Sequence, residues 1–316
     1  MTDICLHIIG VGRAARTLAA AWYSAGNVSI GLLLNRSLDS AEQAAALIGG
    51  GQPCSGLQSF CQALSQQTAS RAEHWLLIGT PDSSIGAVAD ALGECWQDCT
   101  QADLPLAWAF HLSGQQGPEV LQGLAASSRA LQFGAAHPVV SFADPARARQ
   151  QLADSYCLLA TRPAAQQPLA ALFAQLGMHT ITAPAGLDRA RYHAALVMVS
   201  NYQCALHNMA EQLLTQAGFQ PQQSRPLLAG LSTTVAANLA DSGSLAALTG
   251  PLERGDVVAS SRLLQAFVDL NKNQQQAALA LAQVVLDMAR DKGSLSQQQL
   301  QDMQALLNEA GGEPTS

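Results

Sequence analysis

The sequence predicts a doubly wound, mostly parallel α/β sheet followed by an all-α helical domain. Short apolar runs alternate with Ala/Leu-rich helical stretches as far as residue 184. A glycine-rich turn joins the first apolar run to the first helix, and strand-like runs nearly stop after Pro184. The expected domains are therefore residues 1–184 and 185–316. A chain of 316 residues with 48% hydrophobic content is long and apolar enough for two cores.

Residues 4–9 are a short apolar run ending in glycine, which predicts a buried strand. Residues 13–25 read as a helix closed by Gly26. A strand over 28–34 and a helix over 38–48 follow, with Asp39 or Ser40 as the expected N-cap. A short helix is expected over 57–64. A strand over 74–78 leads into the turn Thr80-Pro81-Asp82 and a helix over 85–92. Strands are expected over 106–110, 129–135, 156–160 and 179–182, with a helix over 167–176 between the last two. Such alternation predicts a mostly parallel sheet covered on both faces. The second half reads as one long helix over 189–216, then helices over 227–240, 257–270, 274–291 and 296–309. The Gly/Pro/polar tail from 311 is expected to fray.

The net charge of −7 argues against a nucleic-acid partner, whose phosphates call for a basic surface. No apolar run approaches the ~18 residues of a membrane span. The first residues lack the basic segment of a signal peptide, so the cytoplasm is the expected compartment. The seven cysteines have no regular spacing and read as reduced thiols. Cys95 and Cys99 stand four apart, with no further ligands nearby in sequence. The seven histidines form no HExxH or HxH pattern, so no metal is expected. Charged residues are only 12%, too few to solvate every face of the Ala/Leu-rich helices, and a homodimer is expected.

Gly10-Val11-Gly12-Arg13-Ala14-Ala15 matches GxGxxA between the first strand and first helix, where the Rossmann dinucleotide fold needs it. Gly10 permits a tight turn, Gly12 lets a pyrophosphate approach the backbone, and Ala15 allows close helix–strand packing. The second strand ends in Asn35-Arg36-Ser37, where NAD sites usually carry an acid. Arg36 can pair with a 2′-phosphate and Ser37 can donate to it, which predicts NADP; the alternative is a solvated loop arginine. Thr80 and Pro81 fall where a nicotinamide ribose would lie, or simply start a helix capped by Asp82.

These segments, with GTPDSSI at 79–85, HLSG at 111–114, AAHPVVSFADP at 135–145, YHAALVMVSNY at 192–202 and LTGPLERGD at 248–256, carry a resemblance over nearly the whole chain. The chain resembles the bacterial Rossmann-like oxidoreductases whose C-terminal half is the domain of unknown function 2520. Its architecture is similar to ketopantoate reductase, pyrroline-carboxylate reductase, and the 6-phosphogluconate and hydroxyisobutyrate dehydrogenases. The resemblance implies an NADP-linked redox role with a small-molecule substrate, without naming that substrate. The hydroxyacid dehydrogenases of that wider group place a lysine four residues before an asparagine. Here Asn201 is present and Val197 stands at the lysine position.

Several polar residues are candidates for the chemistry. His193, Val197 and Asn201 are spaced along one face of the expected long helix, with His193 as proton donor and Asn201 as orienter. A carbonyl-bonded histidine and a helix-bridging asparagine are the structural alternatives. His111 and His137 each follow a strand and fall at the sheet's carboxyl edge; strand-end packing is the alternative for both. Arg254, in the Gly/Pro island after residue 248, can clamp an anion, with Asp256 orienting it or capping the next helix. The expected function is hydride transfer between NADP(H) and a small carbonyl, imine or hydroxyacid. The alternative, which Val197 favours, is a non-catalytic NADP(H)-binding regulatory protein.

Overall fold

The computed structural model describes residues 3–26, 28–67, 72–99, 103–128 and 130–312. Arg129, the expected start of one strand, and residues 313–316 of the expected frayed tail lie outside them. The chain forms two compact units, Met1–Ala195 and Leu196–Ser316.

The first unit runs β1 (Ile4–Ile9), α1 (Arg13–Ala25), β2 (Val28–Leu34), α2 (Leu38–Ile48), β3 (Gln52–Cys54), α3 (Leu57–Ser65) and β4 (Glu73–Ile78). It continues with α4 (Ile85–Cys99), β5 (Trp108–His111), β6 (Gln132–Val139), α5 (Pro145–Gln150), β7 (Tyr156–Thr161), α6 (Gln166–Ala174) and β8 (His179–Thr182). The eight strands make one doubly wound sheet in the order β3-β2-β1-β4-β5-β6-β7-β8. All neighbouring pairs are parallel except β6 and β7.

Both sheet faces are buried, as the near-continuous apolar strands require. On β4, Trp75 and Leu77 join the core of one face with Trp22, Phe110 and Phe173. Leu76 and Ile78 join the core of the other with Phe60, Leu92 and Trp96. Trp75 stacks on Trp108 with ring centroids 5.2 Å apart, and the Trp22 indole donates to the Leu172 carbonyl at 2.8 Å.

Several element bounds differ from the sequence-based expectation. Helix α2 is capped by Ser37, whose hydroxyl accepts from the Ser40 amide; Asp39 and Ser40 lie inside the helix. Strand β3 is only three residues long and includes Pro53, so it carries no alternation to read. A 3₁₀ segment, Pro118–Ser127, connects β5 to β6. Strand β6 starts later than expected and runs through His137 and Pro138. Its register with β5 stops at His111↔Ala135, so Pro138 lies beyond it, at a strand end that tolerates a missing N–H.

Helix α7 (Arg189–Val199) begins in the first unit and ends in the second. The expected single long helix is broken at Ser200 (φ −117°, ψ −74°), after which α8 (Asn201–Gln216) starts. The Ser200 hydroxyl donates to the Leu196 carbonyl, a back-bond that bends helices. The second unit continues with α9 (Pro221–Ala247), α10 (Pro251–Arg254), α11 (Val257–Ala266), α12 (Lys272–Lys292) and α13 (Gln297–Gly311). Its core is Leu252, Leu264, Ala282, Leu286, Met303 and Leu307. Among the described residues, no apolar side chain of α8 or α9 is buried.

Candidate active site

Strands β1 and β4 are neighbours from which the strand order runs outwards in both directions. A crevice at their carboxyl ends follows from that topology. Gly10 there has φ 83°, and a Cβ on it would stand 2.5 Å from the Thr80 methyl. A Cβ on Gly79 would stand 2.5 Å from the Gly10 carbonyl oxygen and 2.7 Å from Ala15 Cβ. The turn, the end of β4 and the first turn of α1 therefore pack where side chains are small or missing. Gly12 differs: a Cβ there would make only an ordinary van der Waals contact, with the Gly79 carbonyl oxygen at 3.7 Å. It is also the N-cap of α1 and gives that helix no side-chain cap. Arg13 is exposed, Ala14 half-buried and Ala15 buried at this uncapped end, where free N–H groups and the helix dipole favour an anion.

Asn35 ties the end of β2 to the glycine turn. Its Oδ1 accepts from the Val11 amide at 2.7 Å, and its Nδ2 donates to Ser40 O and Oγ at 3.0 Å. The side-chain amide is thus committed within the protein, and the Val11 side chain is buried in the core. Arg36 is exposed, and Ser37 Oγ keeps its own proton free while accepting from Ser40. Thr80 is half-buried, yet its Oγ1 is buried without a hydrogen-bond partner. Pro81 is exposed beside it.

His111 is fully buried at the end of β5, with both ring nitrogens engaged. Nδ1 accepts from the Ser113 amide at 3.2 Å, so Nε2 carries the proton and donates to the Gly117 carbonyl at 3.0 Å. Burial pushes its pKa down. His111 therefore pins the 111–117 loop as a neutral ring. That loop positions Ser113, whose hydroxyl donates to Asp82 at 2.6 Å and accepts from the amides of Gln115 and Gln116.

His137 and Tyr192 form the most reactive-looking contact, Nδ1 to phenol oxygen at 2.8 Å with the rings edge to face. Burial pushes the His137 pKa down, His193 and Arg189 add to this, and Asp82 opposes it. Burial likewise pushes the Tyr192 pKa up, Cys157 adding and Arg189 opposing. Both groups are therefore neutral near neutral pH. Gly114 leaves room for the imidazole: a Cβ there would lie 2.9 Å from it. His193 is half-buried, and its Nδ1 is buried with no partner. Arg189 donates to the Gly114 carbonyl at 3.5 Å. Tyr192, Arg189, Asp82 and Ser113 were not among the sequence candidates. The AAHP segment and the Tyr preceding His193 were visible, but their pairing depends on α7 lying against β6.

Asn201 and Arg254 belong to the second unit. Asn201 opens α8 rather than continuing the face of His193, and its Oδ1 accepts from Ser200. Arg254 is exposed at the end of α10, its carbonyl accepting from Gln299; Asp256 caps α11 through the Ala259 amide. Among the described residues, Cys5, His7 and His74 bring three metal-capable atoms within 4.8 Å of one another. The group is already bonded internally. Leu32 N–H donates to His7 Nδ1 at 3.0 Å, which leaves His7 Nε2–H to donate to His74 Nδ1 at 2.9 Å.

Residues 155–284 match the family model described as Domain of unknown function (DUF2520). This is the family that the sequence motifs resemble. The match spans β7 through most of α12. No curated protein matches the chain. Among solved structures, a Thermotoga maritima protein is 20% identical, with 91% of this chain and 99% of that chain covered and a TM-score of 0.61. A proposed NADP oxidoreductase of Bacteroides fragilis is 18% identical, with 90% and 98% covered and a TM-score of 0.64. A Streptomyces aurantiacus imine reductase is 17% identical, with 96% and 99% covered and a TM-score of 0.55. These likenesses show a shared fold, a Rossmann-like, mostly parallel sheet followed by helices.

Proposed function

We propose that the protein is an NADP(H)-dependent oxidoreductase acting on a small carbonyl, imine or hydroxyacid. The observation that carries this reading is the cradle at Gly12. There a helix end without a side-chain cap, a glycine whose Cβ would meet no close neighbour and the orphaned Thr80 hydroxyl stand at the strand switch point. Gly12, Arg13, Ala14 and Ala15 would hold the pyrophosphate, Arg36 and Ser37 the 2′-phosphate, and Thr80 and Pro81 the adjoining ribose. Val11 and Asn35 hold the turn in shape. The bound nicotinamide would supply or accept the hydride.

The chain itself handles the proton. Strand β6 lies three strand spacings of about 4.8 Å from β1, roughly 14 Å along the edge, a distance an extended dinucleotide spans. In the tautomer with His137 Nδ1–H donating to Tyr192, the phenol proton is free to reach a substrate oxygen or nitrogen. As it leaves, the Nδ1 proton moves to the phenol oxygen and Nε2 takes one from water, so the ring stays neutral. His193 stands beside this pair as a second proton carrier. Asn201 and Arg254 remain candidates for substrate orientation and anion clamping. Among the described residues no helix is long and apolar enough to cross a membrane, which suits the proposed cytoplasmic setting.

The test is fluorescence titration with NADPH and NADH, then turnover against a carbonyl and imine panel. NADPH binding with turnover of a panel member supports the reading, and failure to bind either nucleotide overturns it. Binding with no turnover of any panel member would favour a non-catalytic NADP(H)-binding regulator, the role that Val197 suggests.

A further inference from the structure

A cleft of about 360 Å³ opens in the first unit around the start of α7, within the range of small-molecule sites. Pro118, Glu119, Leu159, Thr161, Leu187 and Arg189 are among its lining residues. Its charged walls are one anion and one cation. Among the described residues neither has an ion-pair partner, and they do not pair with each other. The Arg189 hydrogen bond to Gly114 O, at 3.5 Å, is at the limit for such a bond and leaves the rest of the guanidinium fork uncommitted. A half-buried arginine in that state suits a planar carboxylate.

Glu119 is exposed at the mouth of the 111–117 loop. Its carboxylate folds over Gly117, where a Cβ would stand 2.1 Å from Oε2. Pro118, Leu159 and Leu187 are apolar, and the Thr161 hydroxyl is already spent on the Phe133 carbonyl at 2.7 Å. The cleft thus offers one negative group and one uncommitted positive group, with apolar side chains between polar ones along its wall.

We propose that this cleft binds a small zwitterion of the amino-acid class, its carboxylate on Arg189 and its ammonium on Glu119. A simple anion would leave Glu119 facing a like charge, and a simple amine would do the same to Arg189. A zwitterion satisfies both. Calling the zwitterion a substrate rests on the oxidoreductase reading above; its binding does not.

The experiment is calorimetric titration of the full chain, saturated with NADP⁺, using L-alanine, L-valine and L-proline. Propanoate and propylamine serve as single-charge comparisons. At least one zwitterion is expected to bind, with the single-charge compounds about tenfold weaker or worse. Arg189→Gln and Glu119→Gln should each cost that zwitterion about tenfold, the loss of one charge-assisted contact, and Arg189→Lys should restore part of it. NADP⁺ affinity and thermal unfolding should stay unchanged in all three variants. Zwitterion affinity indifferent to both charge-removing substitutions, or no zwitterion binding by protein that binds NADP⁺, overturns the proposal. Failure of NADP⁺ itself to bind overturns the oxidoreductase reading instead, while the zwitterion titration still decides the cleft.

Discussion

Tyr192 and His137 are neutral partners in one hydrogen bond, and their proposed role makes a specific demand on kinetics. Tyr192→Phe keeps the ring and its packing against His137 but removes the proton. Turnover should fall about 10²–10⁴-fold while NADPH affinity holds; a variant with unimpaired turnover would remove the phenol from the chemistry. His193→Ala separates the neighbouring candidate by the same assay. At the other end of the proposed cofactor, Arg36 is exposed with no role in packing. Arg36→Asp should weaken NADPH about tenfold to a hundredfold and barely change NADH, since it sets a like charge against the 2′-phosphate. Fluorescence titration showing equal losses for both nucleotides would refute the NADP assignment. Tyr192 itself was illegible in the sequence. A tyrosine beside a histidine on a helix acquires meaning only when a strand from 55 residues earlier brings His137 to within 2.8 Å.

The β1–turn–α1 unit was legible because local chemistry fixes it: an apolar run, glycines at set spacing and an alanine-rich helix specify one another. The glycines nevertheless do different jobs, and the spacing alone does not separate them. Gly79→Ala would drive a Cβ against the Gly10 carbonyl oxygen and Ala15, costing about 1–3 kcal/mol of stability, which chemical denaturation would measure. Gly12→Ala meets nothing closer than 3.7 Å and sits at φ −72°, so the fold should tolerate it while nucleotide affinity falls. An affinity loss for Gly12→Ala accompanied by an equal loss of stability would contradict that division of labour. Less legible were elements decided by tertiary context. Strand β3 is too short to show a period, β6 continues through a proline, and the break at Ser200 interrupts a pattern that reads as continuous helix.

For the whole molecule, two features set the conditions under which it is stable. His7 is fully buried, and burial together with the neighbouring His74 lowers its pKa from 6.5 to about 3. Between those values the unfolded chain binds more protons at this site than the folded one. Stability is therefore fully present above pH 6.5 and is lost as pH falls towards 3, with a slope of about 1.4 kcal/mol per pH unit for this one group. Urea unfolding across that range should show the slope, and His7→Gln should reduce it; an unchanged slope would count against the buried neutral ring. The second feature is the apolar surface of α8 and α9, where Tyr202, Leu206, Leu227, Leu231 and Leu239 are exposed. We propose that this surface is covered in a homodimer, so sedimentation should find a dimer at micromolar concentration and Leu231→Arg should shift it towards monomer. A monomeric wild type would refute the dimer. Helix α7, finally, carries a lesson about inheritance. The composition changes near residue 184, but Arg189, Tyr192 and His193 come after that point and still belong to the first unit. A chimaera joined at the compositional seam would keep the proposed nucleotide cradle of one parent and receive the proposed proton donor of the other. Grafting the two halves there would shuffle chemistry as well as architecture, whereas a junction after Ala195 would transplant the candidate proton machinery intact.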